Sequence, residues 1–218
     1  MKYETNLIKY IEEKYENLEM KNIGGKENIE RYTRPIMSEF VENAVAILID
    51  DILKGKKYKY IIDSQLIIGE RNPLRPDIII ADKDNVIHGI VEVKAQLGYA
   101  GDFKVSEYNK KINRIKKAAK KGLLSINKKE RNIETSKEKV NKEKYTLSDD
   151  FKDFIVILMS ANDNDNLKNF IGTEHFLLFS GRKGDNHQWY DNLTEYLNVE
   201  ENKGNTYIEF VRYIKNNF

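Results

Sequence analysis

The segment Arg75-Pro76-Asp77-Ile78-Ile79-Ile80 is followed, fifteen residues after its aspartate, by Glu92-Val93-Lys94. Both motifs sit in β-branched runs, Arg75 to Ala81 and His88 to Gln96, separated by the turn residues Asp82 to Asn85. Such a pattern reads as two neighbouring strands with a short connection, most simply antiparallel. Side chains alternate faces along a strand, so Glu92 and Lys94 share one face while Val93 points into the opposite layer. An antiparallel neighbour brings Asp77, near the start of its strand, close to Glu92. Two carboxylates and one ammonium then converge. Carboxylates a few ångströms apart repel unless a cation lies between them, so the pair suits Mg²⁺ or Mn²⁺, completed by water and a substrate phosphate. The lysine could orient or help deprotonate an attacking water, or neutralise charge building at phosphorus. Phosphodiester hydrolysis is the expected chemistry.

Working outward, Tyr58 to Ile68 is aromatic and β-branched and reads as a strand preceding these two, with Gly69 to Pro73 as the intervening turn. Before it, Thr33 and Pro35 supply a start signal for a helix to about Leu53, with Met37, Phe40, Val41, Ala44, Val45, Leu48 and Ile52 as a wide apolar stripe. After the motif, Gly98 to Asp102 breaks the pattern. A long basic helix follows from about Phe103 to Lys121, with Val105, Tyr108, Ile112, Ile115 and Ala119 on its apolar side. Ser125 to Tyr145 carries few large apolar residues and many charges, and is expected to be a loop with some helical content. Phe154 to Met159 and His175 to Ser180 read as further strands. Helices are expected at Asn6 to Met20, Gln188 to Leu197 and Tyr207 to Asn216. The expectation is a single α/β domain over 1–218, with a central mixed sheet of about five strands flanked by helices. Its core spans about 33–160, with an N-terminal helix at 6–20 and C-terminal helices within 186–217 as additions.

The motif Pro76-Asp77 with Glu92-Val93-Lys94, in the order helix, strand, strand, strand, helix, strand, resembles the PD-(D/E)xK nuclease superfamily with its restriction-endonuclease-like core. The resemblance covers roughly Thr33 to Met159. It implies a metal-dependent endonuclease acting on DNA, with Asp77 and Glu92 as metal ligands, the Val93 carbonyl as another, and Lys94 as the catalytic lysine. It also implies an acidic residue on the first core helix near the metal. Glu42 borders the apolar stripe and is preferred over Glu39 on the far side, with a solvated helix position as the alternative for both. Gln96 shares the face of Lys94 and is a candidate for binding water or phosphate, or else an exposed strand end. Arg75 is a candidate phosphate contact or the partner of a nearby carboxylate.

Charge agrees with this reading. The 218 residues carry a formal net charge of +2. From Phe103 to Tyr145, however, fifteen Lys and Arg face five Glu, a local +10 that leaves −8 for the remainder. Lys104, Lys110, Lys111, Arg114 and Lys117 of the basic helix are therefore candidates for tracking a nucleic-acid backbone, and the helix is expected to flank the edge where Asp77, Glu92 and Lys94 meet. The alternative is an ordinary solvated basic helix. Composition removes other chemistries. There is no cysteine and there are three histidines, so thiolate zinc, iron–sulfur clusters and a histidine cage are excluded or disfavoured, and any catalytic metal is held by oxygen. Met1-Lys2-Tyr3-Glu4 is acidic where a secretory leader is apolar, and no stretch approaches the roughly 20 apolar residues of a membrane span. A cytoplasmic protein without a membrane partner is expected.

Other signals carry less. Asp163-Asn164-Asp165 with Glu174 lacks the ligand and glycine a calcium loop needs at Leu167 and Lys168. Gly181 to Gly184 and Gly98 to Gly101 lack phosphate-loop and dinucleotide spacing. His175 reads as a satisfied core histidine. Trp189, Tyr190, Tyr196, Tyr207, Phe210 and Tyr213 read as packing residues, with a homodimer face as the alternative. Three rivals to a DNA endonuclease stand beside it: an RNA-cleaving enzyme of the same fold, a non-catalytic nucleic-acid-binding module, and an interaction protein whose motif is accidental.

Overall fold

The computed structural model of the chain describes residues 34–62, 64–69, 73–96, 104–131, 138–160, 170, 172–180 and 206–218. In chain order these form α1 (Arg34–Ile52), β1 (Lys59–Ile62), β2 (Leu66–Ile68), β3 (Ile78–Ala81), β4 (Val86–Gln96), α2 (Val105–Ala119), β5 (Leu124–Arg131), β6 (Glu138–Ser160), β7 (His175–Ser180) and α3 (Tyr207–Asn217). The α/β class and the mixed sheet agree with expectation. The helices expected at Asn6 to Met20 and Gln188 to Leu197 lie outside the described residues, as do the breaks at Gly98 to Asp102, Asp163 to Asn166 and Gly181 to Gly184.

Among the described residues the sheet has seven strands rather than about five, ordered β1-β3-β4-β6-β5-β2, with β7 on β6. Two local features account for the difference. The apolar run from Tyr58 to Ile68 divides at residues 63–65, so β1 pairs with β3 and β2 pairs with β5. Ser125 to Tyr145, expected as a loop, instead holds most of β5 and the first part of β6, antiparallel from Leu124↔Tyr145 to Arg131↔Glu138. The charges that argued for a loop fall on a ribbon anchored at one end, where Leu124, Ile126 and Tyr145 are buried.

The described residues group into two compact units, with β4 and β6 contributing to both. One contains β1, β2, β3, most of β4, α2, β5 and the first part of β6. β1 and β2 lie at opposite ends of its six-strand path, yet only residues 63–65 separate them in sequence. Five inter-strand spacings of about 4.8 Å exceed the reach of so short a connection, so the sheet of this unit curls. β3 lies between β1 and β4, and Ile78, Ile79, Ile80 and Ala81 are all fully buried, which explains why this strand reads as an unbroken apolar run. α2 packs on β2 and β5 through Tyr108, Ile112, Ile115 and Ala118. The Tyr108 hydroxyl donates to the Phe154 carbonyl at 3.4 Å, so this tyrosine is a packing residue, as its place in the stripe indicates. The helix closes at Gly122, where φ of +64° suits glycine and the Leu123 N–H returns to the Ala118 carbonyl at 3.0 Å.

The other unit contains α1, the end of β4, the last part of β6, β7 and α3. Here β6 pairs with β7 in parallel from Ile155↔His175 to Ser160↔Ser180. α3 packs on β7 and α1, with Phe176 against the rings of Phe210 and Tyr213 at 5.4 and 5.1 Å. Tyr207 and Phe210 are buried, which accounts for them as core; Trp189, Tyr190 and Tyr196 lie outside the described residues. Along α1 the expected stripe is realised at Val41, Ala44, Val45, Leu48 and Ile52. His175 bonds the Thr173 carbonyl at 2.9 Å and lies 5.7 Å from the Phe170 ring, a satisfied histidine. Among the described residues, no helix is long and apolar enough to cross a membrane.

Candidate functional site

The pairing of β3 with β4 sets the position of the two motif halves. Its register runs Ile78↔Val91, Ile79↔Ile90 and Ile80↔Gly89. The paired residues end at Ile78 and Val91; Asp77 immediately precedes Ile78 as a bend and Glu92 immediately follows Val91, so a register continued by one step would bring Asp77 opposite Glu92. Residues directly opposite on antiparallel strands project to the same face with their Cα atoms about 4.5–5.5 Å apart. Pro76, buried, leads the chain into this position, and its ring favours the extended backbone on either side of it. Asp77 and Glu92 are both half-buried. Along β4, Val93 is 8% exposed while Glu92 and Lys94 are half-buried, the alternation expected of a strand with one packed face.

A helix residue reaches the same place. Lys111 Nζ donates to Glu92 Oε2 at 2.8 Å and to the Arg75 carbonyl at 2.8 Å. The two side chains of this ion pair keep only 19% and 13% of their exposure. One ammonium thus ties α2 both to the residue preceding Pro76-Asp77 and to the glutamate of Glu92-Val93-Lys94. The basic helix therefore reaches Glu92 and the Arg75 backbone. The role foreseen for Lys111 differs from its place: it faces a carboxylate rather than open solvent. The signal lies in its spacing, three residues after Tyr108 and four before Ile115, which sets it on the border of the apolar stripe.

The other helix cations separate by exposure. Lys104, Lys110 and Lys117 are exposed, and Arg114 is half-buried. Lys116 pairs with Asp153 at 2.9 Å and lies 5.4 Å from the Phe151 ring, so it is engaged within the unit. Arg75 is exposed and contributes its backbone carbonyl to the Lys111 contact. Gln96 is the last residue of β4, and its side chain lies outside the described residues. Glu42 is half-buried on α1; the side chain of Glu39 lies outside the described residues.

At the far end of the β3–β4 hairpin, the register shift after Ile80 takes His88 out of the pairing, with Gly89 facing Ile80 and Ile87 facing Ala81. His88 Nε2 lies 2.9 Å from Asp82 Oδ2, while Asp82 Oδ1 accepts the Asp84 and Val86 N–H groups at 2.8 and 3.0 Å. The bond to His88 holds the Asp82 carboxyl below its ordinary range, aided by the two backbone donors and opposed by burial. This is a turn lock rather than part of the carboxylate pair. The sequence showed only its turn residues.

Among the described residues, no three side chains of His, Cys, Asp and Glu gather into a metal-holding group. Asp77 and Glu92 offer two carboxylates, a donor set of the hard oxygen type that Mg²⁺ and Mn²⁺ prefer, and such ions keep several waters in their shell. Two carboxylates are compatible with that chemistry. The chain matches no protein-family model, no curated protein and no solved structure.

Proposed function

We propose that the protein is a Mg²⁺- or Mn²⁺-dependent endonuclease of restriction-endonuclease-like type, hydrolysing phosphodiester bonds of DNA. The observation that carries this reading is the β3–β4 register ending at Ile78↔Val91, whose continuation would bring Asp77 opposite Glu92, with Lys94 two residues further along the same strand. The strand path β1-β3-β4-β6, with β7 parallel to β6 and α2 following β4, supports it as well. Asp77, Glu92 and the Val93 carbonyl would hold the cation, which would polarise the phosphoryl oxygen and lower the pKa of a bound water. Lys94 shares the face of Glu92, where its ammonium offsets charge building at the phosphorus. Glu42 enters as the helix carboxylate implied by the family resemblance. Exposed Lys104, Lys110 and Lys117 supply a sequence-independent attraction for the nucleic-acid backbone, with double-stranded DNA as the partner.

A second reading is a non-catalytic nucleic-acid-binding module. The contact of Lys111 with Glu92 favours it, because an ammonium already neutralises one of the two carboxylates. Digestion of labelled single- and double-stranded DNA and RNA with Mg²⁺ or Mn²⁺ separates the readings. Cleavage that falls at least about 100-fold in Asp77→Ala and Lys94→Ala supports the nuclease. Salt-sensitive binding that is indifferent to divalent ions supports the module, and cleavage confined to RNA replaces the DNA assignment.

A further inference from the structure

The carboxylate pair already has a cation beside it, and that cation belongs to the chain. Lys111 is held by two bonds of 2.8 Å, one to Glu92 Oε2 and one to the Arg75 carbonyl. Both side chains of the ion pair are largely withdrawn from water, where a charge contact is screened far less than at the surface. Carboxylates brought together without a cation would repel, raising the cost of any approach of Asp77 to Glu92. An ammonium at Glu92 relieves part of that repulsion.

We propose that Lys111 is a resident counter-ion that competes with the divalent cation for Glu92. In the metal-free chain it neutralises Glu92 and joins α2 to the Arg75–Asp77 segment. A metal ion entering beside Asp77 displaces it from the carboxylate, and the freed ammonium becomes available to a substrate phosphate. Metal affinity is thereby set by a residue of α2 that is no metal ligand. Loading the site also changes how this basic helix is attached. Linkage makes the coupling reciprocal: whatever draws Lys111 away from Glu92, such as a polyanion, tightens metal binding by the same factor. This inference rests on the metal-site reading proposed above and adds a mode of regulation to it.

The test is Mn²⁺ binding to the full chain by calorimetry and by the electron paramagnetic resonance signal of free Mn²⁺, neither of which needs turnover. Lys111→Met removes the charge and keeps most of the stem. Lys111→Gln removes the charge and keeps a donor for the Arg75 carbonyl, and serves if the methionine variant folds poorly. Lys120→Met, at an exposed position near the end of the same helix, loses one charge remote from the competition. The expected result is a Kd for Mn²⁺ lowered about 5-fold or more in both Lys111 variants and moved less than about 2-fold in Lys120→Met. Saturating Mn²⁺ should also raise the melting temperature of Lys111→Met more than that of the parent chain. If the parent binds Mn²⁺ and the Lys111 variants bind it no more tightly, or Lys120→Met gains equally, the counter-ion role is overturned and the metal site stands. If the parent and all variants bind no Mn²⁺, the metal-site reading itself fails.

Discussion

Lys111 and Glu92 stand nineteen residues apart in sequence, on a helix and a strand, and meet at 2.8 Å with most of their surface withdrawn from solvent. A pair in this setting is coupled energetically, because either charge alone would keep its desolvation cost and lose its partner. In urea unfolding with chelator present, Glu92→Gln is expected to cost about 1–2 kcal/mol, below the roughly 3–5 kcal/mol of a fully buried pair, since some solvent contact remains. A double-mutant cycle with Lys111→Met should return a coupling of at least about 0.5 kcal/mol. Strict additivity would show that the contact contributes nothing to the metal-free fold.

The turn lock at the opposite end of the β3–β4 hairpin gives a pH prediction. His88, with the Asp84 and Val86 N–H groups, holds the Asp82 carboxyl below its ordinary value. A depressed folded pKa contributes stability that is complete above the unfolded value, near pH 4, and is lost as pH falls through the lowered one. As pH falls below about 4, the urea midpoint of the parent chain should therefore drop more steeply than that of Asp82→Asn. The asparagine keeps an acceptor oxygen for the turn and cannot titrate. Parallel acid limbs for the two proteins would remove Asp82 from the account.

How far the sequence disclosed all this depends on which physical signal each element carries. Ile78-Ile79-Ile80 announced a central strand because burial on both faces leaves a run with no polar interruption. The stripe of α1 announced a helix for the complementary reason, that one face is apolar. The β5–β6 ribbon was hidden, since beyond Leu124, Ile126 and Tyr145 its pairing is a backbone ladder that no apolar alternation announces. The short turn announced the β3–β4 hairpin but not its register, because the irregularity between Ile80 and Ala81 moves the pairing by one residue and sets Ile78 opposite Val91 rather than Ile90. Lys111 was correctly located at that edge, but its bond to Glu92 depends on the rotation of α2 about its axis. Tyr108, Ile112 and Ile115 set that rotation only once they pack on β2 and β5.

The end of α2 offers a test of backbone geometry without side-chain crowding. Gly122 has φ of +64°, and nothing lies within 4 Å of where a Cβ would be. Gly122→Ala should thus destabilise by about 1–2 kcal/mol through the left-handed backbone alone. Gly122→Asn should cost less, because asparagine tolerates that region better. Equal midpoints for glycine and alanine in urea would mean that the turn relaxes to a negative φ.

The exposed cations of α2 give a prediction that separates electrostatic tracking from chemistry. Lys104, Lys110 and Lys117 are exposed, whereas Lys111 and Lys116 are engaged with Glu92 and Asp153. Each phosphate neutralised by a lysine contributes about 0.9 to the slope of log K against log salt concentration on duplex DNA. Replacing Lys104, Lys110 and Lys117 together by alanine should lower that slope by up to about 3, roughly one per lysine. Alanine at Lys116 alone should change it by less than about 0.5, since Lys116 is held by Asp153. Fluorescence anisotropy of a labelled duplex across a salt series, with Ca²⁺ in place of Mg²⁺ to suppress turnover, reads both slopes. Binding that weakens with no change in slope would show that these three lysines do not meet the phosphate backbone.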